Sequence, residues 1–172
     1  MLYFRFQINN MKNLILLTSL IFILGCNSNV SNKSSLSEME SLLLKSSLVD
    51  LNNKKVDIKF LKGNKVILNY WATWCKPCIK EMPSLVRAQK KLKNYNYQVI
   101  LISDENLEKI SKFQSKSKYD LNFIKSVKSN ELVGVYSLPT THIFNEKGNK
   151  IETIVGTIAW DSDKIINKLK TL

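Results

Sequence analysis

The sequence predicts an α/β protein with a central mixed sheet and helices on both faces. Strand-like and helix-like patterns alternate from residue 48 onward, as they do in α/β folds. Two apolar strands, 65–70 and 98–102, flank a long amphipathic segment that begins at Cys75. A helix in that position joins parallel strands through a right-handed crossover. Two further strands around a turn at 146–149 and a final helix complete the pattern.

Local signals mark where the elements begin and end. Ser37 can cap a short helix at its start, and Asn52 with Asn53 makes a hairpin turn between two strands. Pro83 lies inside the longest helix, where its ring and missing N–H should produce a kink. The predicted helices are 38–47, 75–93, 107–117, 131–136 and 161–172, and the predicted strands are 48–51, 54–58, 65–70, 98–102, 123–127, 140–144 and 151–155.

The sequence up to residue 25 contains the pattern of a signal peptide. Lys12 precedes an apolar run at 14–24, which is too short to span a bilayer comfortably and has the length of a signal-peptide core. The run ends in Ile23-Leu24-Gly25-Cys26, which resembles the lipobox of bacterial lipoproteins. That resemblance implies cleavage before Cys26 and lipidation of its thiol; an uncleaved anchor or an ordinary secretory signal is the alternative. Residues 1–10 fit no signal pattern, so we expect translation to start at Met11.

A polar linker follows and leads to a single domain. Residues 27–37 are rich in Ser and Asn and lack aromatic side chains, so they are predicted to form a flexible tether. Together with the short helix predicted after Ser37, this tether makes up the segment 26–47. The remaining segment, 48–172, is long enough for one domain with its own core. The chain has a net charge of +12, but its lysines are scattered, which favours a solvated surface over a nucleic-acid site.

Of the three cysteines, Cys26 ends the lipobox-like segment, and Cys75 and Cys78 form a C-x-x-C pair. If Cys26 carries lipid, Cys75 and Cys78 remain as a pair in an oxidising compartment, where disulfides persist. The first cysteine of a C-x-x-C pair at a helix amino terminus lies near unpaired N–H groups and the positive end of the helix dipole, which favour its thiolate. Cys75 would attack a partner disulfide, and Cys78 would resolve the mixed disulfide. Lys76 would favour the thiolate electrostatically, and Pro77 would stiffen the first turn.

The residues around this pair resemble a known family. Trp74-Cys75-Lys76-Pro77-Cys78 resembles the active site of thioredoxin-fold proteins. The longer string NYWATWCKPCIKEMP, residues 69–83, is similar to the TlpA/ResA branch of extracytoplasmic thiol–disulfide oxidoreductases. Leu138-Pro139-Thr140-Thr141 resembles the family's cis-proline loop, which faces the cysteines. The resemblance covers about residues 48–172 and implies a thioredoxin-like fold.

The resemblance also implies a role for each matching residue. Cys75 matches the exposed nucleophile and Cys78 the buried resolving thiol, while Asn69 is a marker of the branch. Glu81 matches an acid that handles protons near the cysteines, with an exposed helix carboxylate as the alternative. The cis-proline peptide exposes backbone groups that can pair with an extended partner. The residues expected to bind the substrate are Trp74, Lys76, Pro77, Pro139 and Thr140.

A function follows from the same resemblance. The expected protein is lipid-anchored on the periplasmic side of a bacterial membrane and reduces disulfides in cysteine-containing exported proteins. Maturation of apocytochrome c is one use for such a reductant. A membrane electron carrier of the DsbD/CcdA type would reduce it again. We expect no organic cofactor, no metal and no nucleic acid to bind.

Other functions stay open from the residues alone. A disulfide oxidant or isomerase would use the same cysteines, and a non-catalytic metal-binding or interaction lipoprotein is a further alternative. A purely structural disulfide is disfavoured because two intervening residues close a small loop. Zinc binding is disfavoured because zinc needs about four ligands. Copper delivery is disfavoured because copper-delivery proteins of this fold usually have three residues between the cysteines, whereas this chain has two. His142 is predicted to be a core or strand residue, and Trp160 is predicted only to pack.

Overall fold

The computed structural model describes residues 36–172. The predicted signal peptide at 1–25, the lipidation site Cys26 and the tether up to residue 35 lie outside the described residues. Within 36–172, no helix is both long and apolar enough to cross a membrane. The regular elements are α1 (Glu38–Ser46), β1 (Leu48–Val49), β2 (Lys65–Tyr70), α2 (Lys76–Lys91), β3 (Tyr97–Ser103), α3 (Leu107–Ser117), β4 (Asn122–Ser126), β5 (Thr140–Phe144), β6 (Lys150–Val155) and α4 (Asp163–Thr171).

The strands form one six-stranded sheet in the order β1-β4-β3-β2-β5-β6. β2 is parallel to β3 and β3 is parallel to β4, whereas the other pairs are antiparallel. All six residues of β2 are buried, as a central strand covered on both faces requires. The predicted mixed sheet, with a helix between its first parallel strands, is therefore confirmed.

Hydrophobic side chains pack on both faces of this sheet. Ile67 and Trp71 belong to a cluster that includes residues of α2, α3 and α4. Leu68 and Tyr70 belong to a second cluster, which includes Leu43 of α1. Successive strand residues point to opposite faces, so β2 contributes to both clusters. Helices on both faces are confirmed, with three on one face and α1 on the other.

The first predicted hairpin is only partly formed. The chain turns at Asn53, whose N–H donates to the Asp50 carbonyl at 3.0 Å. The second strand is then reduced to a single bridge between Val49 and Lys55, so the prediction of a strand over 54–58 is wrong. Asp57 caps a 3-10 turn that begins at residue 58, and this turn takes the chain away from the strand direction.

Two helical predictions also change in detail. The helix predicted at 131–136 is a 3-10 turn, Asn130–Val133, which ends at Gly134 with a φ of 81°. A positive φ favours glycine and stops the helical path. The helix α2 continues through Pro83 as one element to Lys91.

Candidate active site

Several loops meet at one edge of the sheet. The parallel strands β2, β3 and β4 end at this edge, and β5 begins there because Tyr70 is opposite Thr140 in an antiparallel pair. The loop after β2 leads to Cys75 and helix α2. Binding sites in open α/β sheets lie outside the carboxyl ends of the strands. The cysteine pair therefore lies where such a fold places its chemistry.

The two cysteines are joined by a disulfide in the structure. Cys75 is the N-cap of α2, and the backbone N–H of Cys78 donates to its Sγ at 3.3 Å. Pro77 is in the first turn, where its missing N–H removes no intrahelical bond. The Cys75 sulfur thus lies at the positive end of a 16-residue helix with an N–H directed at it. Both interactions would stabilise a Cys75 thiolate when the disulfide opens.

Access to the two sulfurs differs from the sequence-based expectation. Cys75 is only 2% exposed and Cys78 is fully buried. The prediction of an exposed Cys75 is wrong for this oxidised form, because Cys75 belongs to the buried hydrophobic cluster that includes Ile67 and Trp71. Trp74 is 69% exposed, and Lys76 and Pro77 are exposed as well. A partner would meet these three side chains before it reached the disulfide.

The loop before β5 contains the expected cis peptide bond between Leu138 and Pro139. Pro139 and Thr140 are buried, although both were expected to bind substrate. The Pro139 carbonyl accepts from the Gly156 N–H at 2.8 Å, and the Thr140 hydroxyl donates to the Ser137 carbonyl at 2.8 Å. The backbone groups of Leu138 have no hydrogen-bond partner within the described part of the chain. In this loop the Leu138 backbone is therefore available for further hydrogen bonds, whereas the Pro139 carbonyl and the Thr140 hydroxyl are already bonded.

Glu81 is buried, with 4% of its surface exposed, so it is not an exposed helix carboxylate. Asn69 Nδ2 donates to Glu81 Oε1 at 2.9 Å and also to Thr141 Oγ1 at 2.8 Å. The Trp160 indole N–H donates to the other carboxylate oxygen, Oε2, at 3.1 Å. Burial raises the pKa of Glu81, while the hydrogen bonds from Asn69, Trp160 and the Ile158 backbone lower it in part.

Sequence reasoning missed Trp160 as part of this site. The prediction that Trp160 only packs is wrong, because its N–H donates to a carboxylate 79 residues earlier in the chain. A buried tryptophan usually has a hydrogen-bond partner for its N–H. This rule is the one signal that could have suggested a polar partner for Trp160. No local pattern could have identified Glu81 as that partner.

Glu105 is a second residue that sequence reasoning missed. It follows β3 at the same edge, and its carboxylate accepts both the backbone N–H and the hydroxyl of Thr73. Its backbone carbonyl accepts from Lys125 Nζ at 2.8 Å. Glu105 thereby links the ends of β3 and β4 to the loop that carries Thr73 and Trp74 and leads to Cys75.

His142 lies in β5 and is 4% exposed, as predicted for a strand or core residue. Its Nδ1 lies 2.9 Å from Thr153 Oγ1, and its ring meets the edge of Tyr70 with centroids 5.5 Å apart. Burial lowers the pKa of His142 to about 4. Within residues 36–172, no cluster of three or more His, Cys, Asp or Glu side chains could hold a metal ion.

Comparison with known proteins identifies relatives of this chain. The model of the AhpC/TSA family matches residues 40–166. The thiol-disulfide oxidoreductase ResA of Bacillus cereus is 38% identical over 113 residues, which are 63% of this chain and 65% of ResA. The thioredoxin-like protein YneN of Bacillus subtilis is 39% identical over 118 residues, which are 65% of this chain and 68% of YneN. The predicted resemblance to ResA-type proteins is confirmed.

Solved structures share the fold. The pneumococcal exposed lipoprotein thioredoxin Etrx1 from Streptococcus pneumoniae superposes with a TM-score of 0.58 and 26% identity, covering 73% of this chain and 97% of that protein. The thioredoxin-like fold is therefore confirmed. The chain covers 65% of the length of ResA of Bacillus cereus, slightly less than two thirds.

Proposed function

We propose that this chain, which belongs to the AhpC/TSA family, is a thiol–disulfide oxidoreductase that reduces disulfides in exported proteins through Cys75 and Cys78. The observation that carries the proposal is the position of the Cys75 sulfur. It caps the amino terminus of α2 and accepts the Cys78 N–H at 3.3 Å. A thiolate at that place is stabilised without a metal or cofactor. The similarity to ResA of Bacillus cereus supports the same activity.

The reaction is a two-step exchange of disulfide bonds. The Cys75 thiolate attacks one sulfur of the partner disulfide, forms a mixed disulfide and releases the other partner sulfur as a thiolate. The Cys78 thiol then loses its proton and attacks Cys75 Sγ. The Cys75–Cys78 disulfide forms, and the second partner sulfur leaves as a thiolate. Two electrons have passed to the partner, and its two thiolates take up protons.

Glu81 is the base for the second step. It follows Cys78 by three residues in α2, so the two side chains lie on one side of the helix. Both are buried, and water is a poor base for a thiol in such surroundings. Burial raises the pKa of Glu81, which brings it closer to neutral pH and suits it for proton transfer.

The partner binds as an extended segment beside the disulfide. The backbone groups of Leu138, which have no partner among residues 36–172, can pair with such a segment, and Trp74, Lys76 and Pro77 supply the exposed surface next to it. Apocytochrome c is one exported protein with cysteines that need reduction. A membrane electron donor of the DsbD/CcdA type returns the Cys75–Cys78 disulfide to the dithiol.

A lipid on Cys26 holds the protein on the extracytoplasmic face of the membrane. The lipobox-like Ile23-Leu24-Gly25-Cys26 supports this assignment. The similarity to a pneumococcal protein described as an exposed lipoprotein thioredoxin supports it further. Anchoring would keep the domain close to its electron donor.

The activity is tested by reduction of insulin, with dithiothreitol as electron source. We expect the wild-type protein to accelerate reduction, and we expect Cys75→Ser to remove the acceleration because the attacking thiolate is gone. Cys78→Ser should trap the mixed disulfide with insulin, because resolution needs the second sulfur. An undiminished rate in Cys75→Ser would contradict the proposed mechanism.

The direction of electron flow is tested by the equilibrium reduction potential of the same pair. A value at or below roughly −250 mV, near that of thioredoxin, is expected for a reductant. A value of about −120 to −180 mV would instead identify an oxidant or isomerase, since DsbA and protein disulfide isomerase lie in that range. Trp71 and Trp74 provide the fluorescence signal for this titration.

A further inference from the structure

We propose that Trp160 is a positioning residue for the redox reaction, and that its indole N–H holds the Glu81 carboxylate where it exchanges a proton with Cys78. The inference rests on the proposed function and adds a residue that lies outside the C-x-x-C motif and the cis-proline loop. Trp160 is fully buried, and its Nε1 lies 3.1 Å from Glu81 Oε2.

The carboxylate of Glu81 is held from both sides. Asn69 Nδ2 donates to Oε1 at 2.9 Å, and Trp160 Nε1 donates to Oε2. Asn69 is itself fixed, since the same Nδ2 donates to Thr141 Oγ1 at 2.8 Å. The donors come from β2 and from the loop before α4, so the carboxylate cannot rotate away without breaking one bond. Its side chain is therefore directed by residues outside its own helix.

The donors that hold Glu81 are all neutral. An arginine or lysine at this place would favour the carboxylate strongly and make it a weak base. None of the ion pairs among residues 36–172 involves Glu81. An indole N–H stabilises the ionised form only in part, so burial still raises the pKa of Glu81. Trp160 thus fixes the place of the base and leaves it basic enough to take a proton.

The same geometry connects Trp160 to the rate of the second exchange step. When the Cys78 thiol attacks Cys75, its proton passes to Glu81, and the carboxylate must be ionised at that moment. The acid limb of the pH–rate profile then reports the ionisation of Glu81. Loss of the hydrogen bond from the Trp160 N–H disfavours the ionised form of Glu81, so the acid limb of the pH–rate profile should move to higher pH.

The first measurement is an NMR titration of the full-length protein. The indole N–H resonance of Trp160 should shift with pH in the oxidised and the reduced protein. In the reduced protein its midpoint should coincide with the acid limb of the rate of insulin reduction. Glu81→Gln should abolish the titration of this resonance, since the amide carries no ionisable proton. A Trp160 resonance that does not titrate would overturn the proposal. This test uses the wild-type protein, so it does not depend on whether a variant folds.

The second measurement is the pH profile of Trp160→Phe, which keeps an aromatic ring and removes the N–H. We expect the acid limb to move up by about one pH unit, with a tenfold lower rate below the limb and an unchanged rate above it. Trp160→Phe in the Glu81→Gln background should have no further effect on the profile.

The matched control is Tyr97→Phe. Tyr97 lies in the same hydrophobic cluster as Trp160, and its buried hydroxyl donates to the Leu169 carbonyl at 2.8 Å. This variant also removes one buried hydrogen bond, but it should leave the acid limb in place. Equal shifts in Tyr97→Phe and Trp160→Phe, or no shift in Trp160→Phe, would overturn the positioning role. A wild-type protein that fails to reduce insulin would instead refute the proposed function, while the NMR titration would still test the contact.

Discussion

At the scale of single residues, Glu81 and His142 are titratable side chains buried on opposite faces of the sheet. Glu81 is bonded to Asn69 and Trp160 on the face that carries the cysteines. His142 packs against Tyr70 and belongs to the other face. Burial disfavours the charged form of each group, so it raises the pKa of Glu81 and lowers the pKa of His142. The first group is therefore suited to proton transfer, whereas the second makes folding sensitive to acid.

The sensitivity to acid can be measured on His142. Its pKa is lowered from 6.5 to about 4 on folding, so the unfolded chain takes up a proton first as the pH falls. The neutral form contributes fully above pH 6.5, and roughly 3 kcal/mol of the free energy of unfolding should be lost as the pH falls from 6.5 to 4. We expect His142→Phe to flatten this part of the curve.

Urea unfolding at several pH values between 7 and 4 provides the measurement. Glu38 and Lys150 are the charged groups that influence the pKa of His142, and His142 in turn contributes to the lowered pKa of Glu38. The difference between the two proteins should therefore change with pH mainly where His142 titrates, with a smaller contribution from Glu38 at the acid end of the range. Parallel curves for wild type and His142→Phe would show that the histidine is not buried as a neutral group.

At the scale of elements, α1 is fixed to the turn between β5 and β6. Ser37 and Glu40 form a capping box at its start, and the Met39 N–H donates to the Gly148 carbonyl at 2.9 Å. Glu38 accepts the Lys150 N–H at 2.9 Å. These bonds hold the helix over the second hydrophobic cluster, so the tight turn at Gly148 also determines where α1 lies.

Gly148→Ala should destabilise the protein for two reasons. Gly148 has a φ of +76°, and an added Cβ would lie 2.5 Å from Ser37 Oγ. The backbone conformation alone costs about 1–2 kcal/mol, and the forced displacement of Ser37 adds about 1–3 kcal/mol. We expect the free energy of unfolding in urea to fall by the sum of these two effects.

Gly63→Ala is the matched control for this variant. Gly63 has a φ of +75°, and nothing lies within 4 Å of the added Cβ, so only the conformational cost remains. Ser37→Gly combined with Gly148→Ala should recover the steric part, although it loses the helix cap. Equal losses for Gly148→Ala and Gly63→Ala would show that the methyl group added at position 148 does not collide with Ser37.

At the scale of the whole molecule, the proposed anchor and the redox site are parts of one chain. Nine residues, 27–35, lie between Cys26 and Leu36, where the described structure begins, so ten Cα–Cα steps join the two. A fully extended chain of that length spans at most about 36 Å. A lipid on Cys26 would therefore keep Leu36, just before α1, within that distance of the membrane, and a membrane electron donor would meet the domain at a high local concentration.

The anchor is tested by mass spectrometry of the membrane fraction. We expect a mature chain that starts at Cys26 and carries a diacylglyceryl group on its thiol. Cys26→Ser should prevent this processing, whereas Ser28→Ala, two residues away, should leave it unchanged. A mature chain that starts at any other residue would rule out lipidation at Cys26.

Much of this protein could be predicted from short-range patterns. The strand Lys65–Tyr70, the helix Leu107–Ser117 and the strand Thr140–Phe144 have the predicted bounds. Their apolar periods and flanking signals lie within the elements themselves, so no distant contact is needed to identify them. The cysteine pair after β2 was recognised in the same way, since its chemistry depends on the spacing of two residues and on the helix that they begin.

The tertiary structure decided what these residues meet. Glu81 is buried because Asn69 and Trp160 converge on it from separate elements, and Thr73 is held by Glu105 from the end of β3. Cys75 is buried in the disulfide form, as part of the hydrophobic cluster that includes Trp71. Burial and hydrogen-bond partners depend on long-range packing, which a periodic pattern does not contain. The sequence by itself therefore determined the elements and the reactive sulfurs, and the fold determined the groups that control their protons.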